Sequence, residues 1–81
     1  MKAVDLRALV LPSGVRVVVL KLLAALEVAD TAQGVNVAAV HAEGFVLGLE
    51  TAGAFRAADI EALYVGFDQA KDNRLQALRD A

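Results

Sequence analysis

From Val15 to Ala29 the chain places twelve aliphatic side chains among only three charges, Arg16, Lys21 and Glu27, with no Ser, Thr, Asp, Asn, Gly or Pro between them. A run of this length exceeds one ordinary strand. It predicts a single deeply buried helix with Ser13 as its N-cap. Upstream, Lys2 to Val10 mixes Ala and Leu with Asp5 and Arg7, and Pro12 forces Leu11 out of helical geometry. A first helix there would be short, about two turns. The same stretch has a competing reading. Val4, Leu6, Ala8 and Val10 alternate, as do Val15, Val17 and Val19, and Pro12-Ser13-Gly14 between them suits a hairpin turn. A strand from Val15 would then have to become a helix near Leu22 without any boundary residue, so the helix violates fewer rules.

Asp30 and Thr31 break the apolar pattern, and Thr31 is placed to cap a helix running to about Ala52, with Gly53 as a left-handed C-terminal cap. On its wheel Asn36, Glu43 and Glu50 recur every seven residues as one narrow polar stripe. Val35, Ala38, Ala39, Ala42, Phe45, Val46 and Leu49 form a broad apolar face, and Gly44, Gly48 and Ala52 a ridge of small residues with His41 nearby. After the loop Ala54–Ala57, Asp59 and Glu61 favour a helix N-terminus electrostatically. Ile60, Leu63, Tyr64, Phe67, Lys71, Arg74, Leu75 and Leu78 share one side of that last helix, leaving Glu61, Asp68, Asp72, Asn73, Gln76 and Arg79 toward water. The prediction is an all-α fold, a small bundle of three to four helices forming a single helical domain over residues 1–81. Its alternative is an α+β fold in which a β-hairpin over residues 3–20 precedes the helices.

Composition turns this pattern into a problem of burial. Of 81 residues 58% are apolar, and a domain this small has too much surface per unit volume to hide that much hydrocarbon within itself. A membrane, a second copy or another protein could take the surplus. The charges in the Val15–Ala29 run argue against a membrane span, and Arg16 and Lys21 are too few and too far apart around the wheel for a helix lying on a lipid surface. A secretory leader would need its apolar stretch before Leu11-Pro12-Ser13-Gly14, so a soluble, cytoplasmic protein is expected. A formal charge of −2 supplies no broad cationic field for nucleic acid, and Arg56, Lys71, Arg74 and Arg79 are interleaved with acidic residues.

Candidate chemistry is sparse. The absence of cysteine removes disulfides, thiolate metal sites and thiol nucleophiles. His41 is the only histidine, and Glu43 lies two residues on, roughly on the opposite side of a helix, so the pair forms neither a metal site nor an acid–base couple. Ser13, Thr31 and Thr51 fall where caps or helix ends belong, and the glycines lack the spacing of a phosphate-binding loop. No catalytic residue, metal ligand or cofactor is therefore expected, and the protein is read as not an enzyme. Gly44 and Gly48 do match the small-xxx-small spacing that lets helices approach closely, within the chain or across to a second one. The stretch Glu43 to Gly53 ahead of an amphipathic helix resembles small helical open reading frames of bacteria and their mobile elements, which implies no activity.

The expected role is that of a homodimeric protein–protein interaction module, pairing through Val18, Leu22 and Leu26 of the first long helix and Gly44, Gly48 and Ala52 of the second. Two alternatives stand beside it. One is a carrier or sensor of a small apolar ligand, with Phe45, Leu49, Tyr64 and Phe67 lining a pocket. The other is a regulator that meets nucleic acid weakly through a dimer groove.

Overall fold

In the computed structural model, which describes residues 3–81, the chain is helical and contains no strand among the described residues. A short 3₁₀ turn at Leu6–Ala8 precedes α1 (Ser13–Val28), α2 (Ala32–Ala52) and α3 (Ala57–Asp80). The small helical bundle is thus the fold, and the hairpin alternative is not. Lys2, where the expected first helix would begin, lies outside the described residues.

The expected two-turn helix is reduced to a single 3₁₀ turn, and the reason is where its backbone groups find partners. Asp5 closes the turn itself: its side chain accepts from the Arg7 amide at 3.0 Å and its carbonyl from the Ala8 amide at 3.1 Å. The Val4 amide donates to Gln69 of α3 at 2.9 Å, and Arg16 of α1 donates to the carbonyls of Arg7 at 2.9 Å and Leu9 at 3.3 Å. Groups that a hairpin ladder would have paired are satisfied by the two helices beneath. Leu6 inserts into the core, and Arg7 reaches Glu27 at 2.8 Å. Residues 3–12 therefore form a strap across α1 and α3.

Helix α1 is continuous, as the unbroken apolar run requires, but it is not deeply buried. Val19, Leu23 and Leu26 face the core, whereas Val17, Val18 and Val28 are exposed. Its first residue is Ser13, preceded by Pro12 without a side-chain cap, so Ser13 begins the helix instead of capping it. Thr31 does cap α2, its hydroxyl accepting from the Gly34 amide at 3.0 Å, and Gly53 ends it with φ of 70°. The predicted inner face of α2 is the one that meets the core, through Val35, Ala38, Ala42 and Val46. Helix α3 contributes Ile60, Leu63 and Phe67, with Lys71, Arg74, Leu75 and Leu78 half-buried along the same side. Arg74 locks the far end by donating from Nε to the Ala29 carbonyl at 2.8 Å, satisfying one of the free carbonyls that end α1.

Candidate interaction face

The side of α2 turned away from the core carries large aliphatic side chains in the open. Val37, Val40 and Leu47 are 48%, 68% and 55% exposed. With Gln33, Gly44 and Thr51 they recur at alternating spacings of three and four over the 21 residues of the helix, the repeat that lines one helix against another. A shallow depression of about 480 Å³ sits on this face, between Gln33, Asn36, Val37, Val40 and His41. The helix that carries it is well founded: Thr31 and Gly53 satisfy its ends, and Thr51 turns its hydroxyl back to the Leu47 carbonyl at 2.9 Å.

Gly44 and Gly48 lie on this outer side, and a Cβ at either would meet nothing within 4 Å. Their small size is not used to bring two helices of this chain together. Of the small-residue ridge, Ala52 is exposed as well, and so is His41. Electrostatically the face is one-signed. Glu43 and Glu50 are the only acids of α2, both in its C-terminal half, and the helix has no Lys or Arg. Glu50 is held by the Tyr64 hydroxyl, which donates to it at 3.1 Å. Partial desolvation, that hydrogen bond, and the charges of Glu50 and Glu43 together raise the Tyr64 phenol above its ordinary value. The acidic stripe of α2 thus borders α3, leaving the apolar residues between it and the flank that bears His41.

The other expected interface residues divide. Val18 is at the surface, Leu22 is half-buried, and Leu26 is fully buried in the bundle's own core. Leu26 is therefore a core residue: with none of its surface accessible, it has nothing to offer a partner. The outward side of α1 instead presents Val17 and Val28 beside Val18, with Lys21 among them. Sequence reasoning misses Val37, Val40 and Leu47 because it gives the outer side of α2 to the polar stripe and the ridge of Gly44, Gly48 and Ala52, and misses Val17 and Val28 because it sets the outward stripe of α1 on Val18, Leu22 and Leu26. The three-and-four repeat of Gln33, Val37, Val40, Gly44, Leu47 and Thr51 was the available signal.

The clefts that Tyr64 borders are not lined by all four residues expected to form a pocket. Phe67 is a core residue, and Phe45, Leu49 and Tyr64 pack half-buried against the same core. Tyr64 and Phe67 share a cleft of only about 50 Å³, far below the roughly 300 Å³ at which ligand pockets begin. Tyr64 also borders an open cleft of about 380 Å³ with Phe55 and Ile60, which Phe45, Leu49 and Phe67 do not reach. Another of about 380 Å³ lies beneath the strap, where Arg7 is engaged by Glu27 and Arg74 by the Ala29 carbonyl. No three of His, Asp and Glu gather to hold a metal ion among the described residues. No described helix is long and apolar enough to cross a membrane. No family model matches the chain, and neither a curated protein nor a solved structure does.

Proposed function

We propose that this protein is a homodimeric interaction module in which one of its two outward apolar helix faces, on α1 or on α2, is covered by a second copy of the chain. The observation that carries the reading is the exposure, among the described residues, of seven large aliphatic side chains, six of them on α1 and α2. The accessible surface agrees with it. At 5272 Å² for 8.5 kDa, it exceeds by roughly 600 Å² the value of about 4,700 Å² expected of a monomeric globule of that mass. A stable interface removes about 800 Å² from each partner, so the surplus is of the size that one interface consumes. A closed two-fold pair is the commonest way to cover such a face.

Sedimentation velocity across the low micromolar range tests this, with a concentration-dependent shift toward twice the monomer mass as the expected result. A stable monomer at every concentration rejects it. In such a module the protein would act by presenting surfaces, with no reaction of its own, in a cytoplasmic setting.

A further inference from the structure

We infer that two copies pair antiparallel along the outer face of α2, around a two-fold axis that passes near the middle of the helix. This rests on the homodimer reading above and assigns it a surface, an orientation and a register. Helix α2 runs from Ala32 to Ala52. When two such helices lie antiparallel in full overlap, Val37 meets Leu47 of the second copy and Val40 meets Gly44 of the second copy. Gln33 and Thr51 close both ends with polar contacts. This is the layering in which the two repeating positions of one helix face each other's counterparts. Each bulky Val40 enters the open space over Gly44, where nothing beyond the adjoining helix backbone and the neighbouring residues lies within 4 Å of a would-be Cβ. Leu47 of the second copy comes down on the depression between Gln33, Val37, Val40 and His41. A parallel pair would instead stack Gly44 on Gly44 and Leu47 on Leu47, leaving a gap beside a bulge.

Charge selects the same orientation. Both acids of α2 lie in its C-terminal half, which also carries the negative end of the helix dipole. Antiparallel pairing sets Glu50 beside Asn36 and the positive amino end of the second copy, whereas parallel pairing brings the two acidic ends together. Its electrostatic cost is the approach of two Glu43 carboxylates near the axis, on the solvent-facing flank that borders α3.

Single cysteines test the register cleanly, because the chain has none of its own. Val37→Cys and Leu47→Cys are made separately, mixed and oxidised, and the products are identified by mass spectrometry. Antiparallel pairing yields the mixed disulfide and neither homodisulfide. In that pairing like positions sit ten residues apart, about 15 Å along the axis, beyond the roughly 7 Å that a disulfide spans. Homodisulfides of each variant would establish a parallel pair and overturn the inference. Val40→Asp is expected to weaken association by about tenfold or more, with helicity by circular dichroism unchanged, while Val17→Asp on α1 leaves association as it was. A dimer that survives Val40→Asp, or that Val17→Asp dissociates, overturns the α2 seam and leaves the homodimer standing. A wild-type chain that stays monomeric overturns both.

Discussion

Gly66 lies in α3 where Leu6 of the strap comes down, and a Cβ there would fall 2.7 Å from Leu6 Cγ and closer still to a terminal methyl. Gly66→Ala must therefore dislodge Leu6, forfeiting roughly 1.5–3 kcal/mol of burial, while the helix recovers up to about 1 kcal/mol. A net loss of about 1 kcal/mol in chemical denaturation is expected. In a Leu6→Ala background the same substitution should stabilise, because nothing is left to displace. Tyr64 offers a second residue-scale test, since it is the only tyrosine and tyrosinate absorbance reports it alone. Its phenol should titrate above the ordinary 10.0, and Glu50→Gln should bring it closer to that value. A folded-state pKa above the unfolded one gives stability that is complete below about pH 10 and lost as pH rises through the folded value. Tyr64→Phe should remove that alkaline slope; a phenol titrating at or below 10.0 would mean that the Glu50 contact is not held.

At the scale of elements, the ends of α2 are local chemistry, and they behaved as their residues dictate. Thr31 accepts the Gly34 amide and Gly53 adopts a left-handed φ. Thr31→Ala should cost about 1 kcal/mol, and Gly53→Ala about 1–2 kcal/mol, each read as a lowered denaturant midpoint. Gly44 differs from both. Its Cβ position is open, so Gly44→Ala should raise the stability of the isolated fold by up to about 1 kcal/mol. The same methyl narrows the space over Gly44 that a second copy's Val40 would enter, so stability and association should move in opposite directions; a variant that improves both would contradict the role given to that space. The inner faces of α2 and α3 were equally legible, because a helix sorts its residues by period alone. The strap was not. Its partners Glu27, Gly66 and Gln69 are remote along the chain, and no periodicity in residues 3–12 encodes them.

For the whole molecule, the proposed homodimer would tie folding to concentration. Its thermal midpoint should rise with protein concentration, since only the associated state gains from mass action. Arg74 joins the Ala29 carbonyl at the α1–α2 turn across 45 positions of sequence, and Arg74→Met should lower stability by about 1–3 kcal/mol through that orphaned carbonyl. The residues alone determined that α1, α2 and α3 exist, where α2 begins and ends, and which side of α2 and α3 turns inward, because caps and helical period act within a few residues of themselves. Tertiary structure alone decided that residues 3–12 are a strap instead of a helix or hairpin, that Leu26 belongs to the core, and that Gly44 and Gly48 look outward. Those outcomes depend on how three cylinders share one interior. A bundle of this size buries one stripe of each helix, and on α1, apolar nearly all round, which stripe is left outside is settled only when the neighbours are in place.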